Sequence, residues 1–304
     1  MFRQILPAVL LIPAAFAQIN LRNNTTPELA CGRLNYCEMR EETVAASSQF
    51  ALEGLHNGGV TILGSDRKDV LVRMRVEAST YSESDAKDLF KRIHTHVTPG
   101  RFTVDGPEMD SMFGWASGKW WSVSVEVFVP HKTDLRVETH NGAIRIADIQ
   151  GRLDARSHNG ANRVDRVTGA ARIVSHNGAL TFSEIGGDVT FESHNGAVKG
   201  TRLGGGVEGT SHNGGVEVGL EGAATASRRV DIESHNGRVT VGLPSSYSAH
   251  VRTESQHGRL SSDFPMTVRG RISHDNNDSD FNIGSGTASI RIRTHNSGIV
   301  LEQI

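Results

Sequence analysis

Between His140 and His212 the tetrapeptide Thr/Ser-His-Asn-Gly occurs five times, with His at 140, 158, 176, 194 and 212, each copy 18 residues after the last. A period held without a slip constrains the fold more than any composition can. A unit this short cannot bury its apolar face alone, and it gains a core only by stacking on copies of itself. Looser copies extend the series: Leu55-His56-Asn57-Gly58 upstream, then Ser234-His235-Asn236-Gly237, Ser255-Gln256-His257-Gly258, a degraded Ser273-His274-Asp275-Asn276, and Thr294-His295-Asn296-Ser297-Gly298. Taken in chain order they predict roughly nine or ten coils.

Each motif is flanked by alternating apolar residues. Leu135 and Val137, Leu153 and Ala155, Ala171 and Ile173, and Val189 and Phe191 precede a copy; Ile144 and Ile146, Leu180 and Phe182, and Val216 and Val218 follow one. Alternation with period two is the mark of a strand with one face on a core. The expected fold is therefore all-β, a parallel β-solenoid with two strands per coil of about 18 residues. Asn-Gly turns the chain at one corner, since both residues tolerate positive φ. A second corner falls at Gly151, Gly169, Gly187 and Gly205. The competing arrangement is a long antiparallel meander, the usual consequence of Asn-Gly between strands. A meander would not bring identical side chains into register.

Residues 1–17 read as a secretory leader, with Arg3, an apolar run from Ile5 to Phe16 and Ala15-Phe16-Ala17 at the cleavage site; the run is too short to span a bilayer. Residues 18–48 form a polar N-terminal segment holding the two cysteines, Cys31 and Cys37, expected to form a disulfide in an oxidising compartment. Residues 49–304 are the solenoid domain, interrupted by an insert over 84–122. Within it Ser84 to His96 has helical spacing, with Ala86, Leu89, Phe90 and Ile93 on one face. Thr98-Pro99-Gly100 ends that helix, and strands follow at Arg101 to Asp105 and Trp121 to Val129. The insert is expected to cap one end of the stack, because an open end exposes strand edges and core.

The order of these parts resembles the bacterial putative-adhesin family, exported β-strand-repeat proteins of unknown function. The resemblance rests on the leader, on Gly58-Gly59-Val60-Thr61-Ile62 followed by Asp69-Val70-Leu71-Val72, on Val127-Phe128-Val129-Pro130, and on the Gly-punctuated coils that follow. It covers roughly residues 49–304. It implies adhesion and brings no catalytic residues with it.

In-register coils would place His140, His158, His176, His194 and His212 in one column about 4.8 Å apart. Neutral imidazoles in such a column could bind a transition metal. The structural alternative is a ladder of stacked rings and Asn amides that needs no ligand, and on that reading the chain has no metal and no cofactor. Acid should loosen a histidine column by charge repulsion. Catalysis would need converging carboxylates, whereas Asp154, Asp165, Asp188, Glu192, Glu208 and Glu217 are scattered along strands. Aromatic residues cluster once, at Phe113, Trp115, Trp120 and Trp121; they either pack the cap on the first coils, which is the favoured reading, or meet a sugar or partner surface, with Met109, Met112, Phe113 and Trp115 as the candidates for partner contact. With 32 Lys plus Arg against 34 Asp plus Glu, there is no basic excess for nucleic acid or anionic lipid. The expectation is a non-catalytic, exported scaffold in the periplasm or at the cell surface that does not span the membrane, with an envelope protein or a glycan as partner.

Overall fold

A computed structural model describes residues 29–31, 36–108, 118–268 and 278–304. It is all-β apart from one short helix, and its strands form two large, mostly parallel sheets of 12 and 13 strands among the described residues. The leader, the Ser273–Asn276 copy of the motif, and Met109, Met112, Phe113 and Trp115 lie outside the described residues.

Short strands alternate between the two sheets, and every second side chain points into the space between them. In Leu153–Ser157 the residues Leu153, Ala155 and Ser157 are buried while Asp154 and Arg156 face outward. Leu153 lies beside Leu135 on one side and Ala171 on the other, and in the second sheet Val164 lies beside Ile146 and Phe182. All of these neighbours are parallel, so the array does not adopt the antiparallel meander. One strand in each sheet makes a level, and nine levels are stacked among the described residues. The interior is filled by Val, Ile, Leu and Phe, most of them fully buried. Phe182 and Phe191 are the largest of these in the regular array, and their register partners one level on are Gly200 and Gly209.

Gly58 in the first copy has the expected positive φ, 126°, but the glycines of the regular array serve a different purpose. Gly142, Gly160, Gly178, Gly196 and Gly214 are not among the residues with positive φ. They are needed for space: a Cβ on Gly178 would sit 2.0 Å from the Gly160 carbonyl oxygen. The second corner differs in the same way. Its left-handed residues are Asp148, Arg166, Glu184 and Arg202, with φ of 65°, 56°, 56° and 53°. Each is bulged out of the strand pairing, and Gly151 and Gly169 beyond them again permit close backbone approach. A non-glycine residue in this conformation costs about 1–2 kcal/mol. Up the stack the four alternate acid, base, acid, base. Asp148 accepts two hydrogen bonds from Arg166, at 2.6 and 2.9 Å, and Glu184 accepts one from Arg202.

Below the first level the insert departs from its expected outline. The helix, α1, runs only over Glu83–Phe90, with Ser82 accepting a hydrogen bond from the Asp85 amide as its N-cap. Ala86, Phe90 and Ile93 are buried as its spacing implies. His94 to His96, read from sequence as the end of the helix, belong instead to a strand, His94–Thr98, paired antiparallel with Arg101–Asp105, and Thr98-Pro99-Gly100 is the hairpin turn. Alternation across His94-Thr95-His96-Val97-Thr98, with two threonines and a valine, favours strand over helix once an edge is available to pair with. This hairpin extends one sheet beyond Gln49–Leu55. Strands Trp120–Pro130 and Asp69–Ser79 extend the other, antiparallel to each other. Tyr36–Ala45, placed by sequence in a separate polar segment, is the edge strand of that sheet, paired antiparallel with Asp69–Ser79. Its polar residues suit an edge open to water on one face.

At the other end the levels do not follow chain order. Ala288–Thr294 lies between Arg229–Ser234 and Ala249–Ser255, parallel to both. Ile299–Gln303 is likewise flanked by Val239–Leu243 and Leu260–Ser262. The last coil in sequence is thus intercalated as the eighth level, and the coil that precedes it forms the ninth. Ser279–Ile283 then continues the sheet of Ala249–Ser255, antiparallel to it, and Thr267–Val268 pairs antiparallel with Ser279–Ile283 at the edge.

Candidate functional site

Stacking in register gathers the four residues of the motif into four columns along one edge of the molecule. The Ser or Thr is buried and holds the turn: Ser157, Ser193 and Ser211 donate to the carbonyls of Gly160, Gly196 and Gly214 at 2.7, 2.6 and 2.7 Å. The Gly lets one turn nest on the next. The Asn side chains form a continuous ladder, each Nδ2 donating to the Oδ1 of the level before. It runs from Asn141 onto Asn57 at 2.9 Å, through Asn159, Asn177, Asn195 and Asn213 at 2.7 Å each, to Asn236 at 2.8 Å and Asn296 at 2.7 Å. Every bond points the same way, so the amides polarise one another.

The histidines stack face to face. His140, His158, His176, His194 and His212 are brought together as the spacing requires, and His235 and His295 continue the column. Successive centroids lie 4.7, 4.7, 4.6, 4.8, 5.0 and 4.8 Å apart, with planes within 13° of parallel. His56 below is tilted by 53° at 6.4 Å and meets Trp121 edge-on. The column stops above His295. At the next level Gln256 occupies the histidine position, and the His257 amide donates to the His295 carbonyl as an asparagine of the motif does. His257, counted from sequence among the motif histidines, therefore stands in the asparagine column.

The ring faces are covered by their neighbours, and the residues are exposed apart from a half-buried His295, so the ring edges meet solvent. Lone pairs of imidazole nitrogens lie in the ring plane. In parallel planes they point side by side and do not converge on one tetrahedral centre. Among the described residues no group of three His, Cys, Asp or Glu is placed to hold a metal ion.

The neutral form is favoured at the lower end of the column. Burial, and then the neighbouring His158 and His56, hold the His140 imidazole below its usual 6.5. A histidine with a depressed folded pKa contributes stability that is fully present above 6.5 and is lost as pH falls through the folded value, because there the unfolded chain binds more protons. Neighbouring imidazolium charges at this spacing would add repulsion of about 1 kcal/mol per pair in water. The urea midpoint should fall between about pH 7.5 and about pH 5.5, and a flat profile would count against a column that is stacked in solution.

Three cavities of 360, 470 and 600 Å³ follow one another along the same edge. The first two share Val174 and His176, and the second and third share Glu233 and His235, so they form one groove. The imidazole edges make one wall, and the buried hydroxyl column lies beneath. The other wall is the residue two before each histidine: Glu138, Arg156, Val174, Glu192, Thr210 and Glu233.

The scattered carboxylates have structural partners. Asp154 pairs with Arg156, Asp165 with Arg163, Glu192 with Arg172 and Glu217 with Lys199. Asp188 accepts from the Gly206 amide at the second corner, while Glu208 faces solvent. Cys31 and Cys37 are joined by a disulfide. Trp121 is buried and its Nε1 donates to the Pro107 carbonyl at 3.0 Å, whereas Trp120 is exposed. Arg228 was not legible in the sequence. It is buried where the spacing lengthens, bonded to the carbonyls of Leu203, Gly205 and Glu221, with its guanidinium over the Tyr247 ring. The pair Arg228-Arg229 beside an irregular spacing was the only signal.

No family model matches the chain, and no curated protein matches it. Among solved structures it is similar to a putative adhesin from Bacteroides fragilis, at 11% identity and TM-score 0.43, over 88% of this chain and 97% of that one. It is similar to a putative lipid binding protein from Parabacteroides distasonis at 12% and 0.35, over 87% and 96%. A putative cell adhesion protein from Clostridium sporogenes is similar at 14% and 0.22, over 88% and 100%. Two of these three solved structures are named as a putative adhesin and a putative cell adhesion protein.

Proposed function

We propose that the chain is an exported, non-catalytic β-solenoid that serves as an adhesin-like interaction scaffold of the cell envelope. One observation supports this above the rest: the repeated polar residues spend their bonding on one another. Asn bonds to Asn, His stacks on His, and Ser closes its own turn. Such a repeat is accounted for by building a long, stiff body and needs no reaction to explain it. The carboxylates fit the same reading, since most are tied to a neighbouring cation or amide. Met112, Phe113 and Trp115 remain the proposed contacts of the insert with an envelope partner. A second reading, response to acid, rests on the seven-ring column.

The test is fractionation of a bacterium expressing the full chain, with mass analysis of its N-terminus. The expected product is exported and begins near Gln18. An uncleaved product in the cytoplasm would overturn the reading.

A further inference from the structure

We propose that the groove beside the histidine column binds a linear, uncharged glycan laid along the axis of the stack. The proposal draws on the scaffold reading only in requiring that the stack persists in solution.

The shape of the groove selects a polymer. It runs from the level of His56 to that of His257, roughly 38 Å over eight strand spacings. One wall repeats the same imidazole from level to level while the residues of the other vary, so a ligand one level long would find no distinguished ring in it. Its hydrogen-bonding chemistry selects hydroxyls. Each of the seven levels from His140 to His295 offers one imidazole edge, and a neutral imidazole carries one donor and one acceptor. A sugar hydroxyl also does both. Because the ring faces are covered, recognition must come from these edges and not from stacking.

Spacing and charge exclude the other common polymers. Rings succeed one another at 4.6–5.0 Å. An extended peptide advances about 3.3–3.4 Å per residue and repeats a face only every second residue, which drifts out of step with the levels. A pyranose linked through opposite carbons advances by a length close to one level. The wall carries Glu138, Glu192, Glu233, Glu254 and Asp278 against Arg156 and Arg293. Both arginines are already engaged, Arg156 by Asp154 and Arg293 by Asp231 and Glu233. The acids are mostly paired as well, Glu192 with Arg172, Glu233 with Arg293 and Glu254 with Arg252 and Arg291, so nucleic acids and polyuronates would find no unpaired cation among the described residues of this wall and would still meet Glu138 and Asp278.

The experiment is calorimetric titration of the purified full chain with cellohexaose, N-acetylated chitohexaose, the corresponding disaccharides and polygalacturonate. One of the two hexasaccharides should bind at least about tenfold more tightly than its disaccharide, as contacts at successive levels add, and polygalacturonate should not bind. Val174→Arg and Thr210→Arg place bulk in the middle of the groove without touching the ladder or the stack. Each should weaken hexasaccharide binding by about tenfold or more at unchanged melting temperature. If Val174→Arg lowers the melting temperature, the exposed Thr210→Arg decides. Failure of both hexasaccharides to bind, equal affinity for both lengths, preference for polygalacturonate, or full binding by the folded Thr210→Arg variant would overturn the proposal. A protein that is exported and folded yet binds neither hexasaccharide overturns this inference alone and leaves the scaffold reading standing.

Discussion

Gly178→Ala should destabilise the protein by about 4 kcal/mol or more, a loss in the range reserved for a backbone forced out of place. The new Cβ would lie 2.0 Å from the Gly160 carbonyl oxygen and 2.3 Å from its carbon. Both are backbone atoms, so no rotamer change relieves the overlap. The two levels must separate, and that breaks the 2.7 Å bond from Asn177 to Asn159 and opens the His158–His176 stack. Gly160, Gly196, Gly214 and Gly237 meet the level beneath at 1.8–2.1 Å and should behave alike. Gly215→Ala is the control. Its Cβ would be 3.6 Å from the nearest atom, the Arg238 carbonyl oxygen, and Ala already stands at the matching positions 143, 161, 179 and 197. It should be neutral or stabilising by about 0.4–1 kcal/mol through the unfolded chain. Urea denaturation of the pair checks this, and a cost below about 1 kcal/mol for Gly178→Ala would refute the close-packed turn column.

Phe182 and Gly200 should prove to be one packing unit. Phe182→Ala empties a fully buried site and should cost about 3–5 kcal/mol. Gly200→Val should also destabilise, because its Cβ would come within 2.4 Å of the Phe182 ring. Together they should recover about 2 kcal/mol relative to the sum of the two, since the valine occupies space that the phenyl ring has left. Phe191 and Gly209 repeat the relation in the other sheet, with a Cβ contact of 2.0 Å. A double-mutant cycle by urea denaturation measures the coupling. Additive losses would show that the ring and the glycine do not share the space.

Both predictions concern residues whose identity was plain in the sequence and whose reason was not. Asn-Gly is a turn signal, and glycine in a turn ordinarily means positive φ. Here the turns of successive levels lie directly over one another, and the constraint comes from the neighbouring level. The positive φ sits instead at Asp148, Arg166, Glu184 and Arg202, of which only Asp148 is a residue type that favours a turn by itself. Their alternating charge is visible in the sequence, but at a separation of 18 residues it has no meaning until the levels are superposed. Gly200 and Gly209 show the same limit, since each looks like a strand defect until a phenylalanine is placed beneath it.

What the sequence determined by itself is the repeat: two strands per 18-residue unit, their buried faces, and the gathering of His140, His158, His176, His194 and His212 into one column. A strict period with alternating apolar residues leaves a chain few other ways to bury them. Only the tertiary structure decided the order of levels where the period fails. From His235 the next motif residues lie 22 and 60 positions on, at His257 and His295, and loops of unequal length leave either coil free to dock first. His295 stacks on His235 at 4.8 Å, while the coil bearing Gln256 and His257 forms the outermost level. The coil that keeps His and Asn in their places continues both ladders. The coil that lacks them can sit without loss only where no further ring or amide has to be met, at the end of the stack.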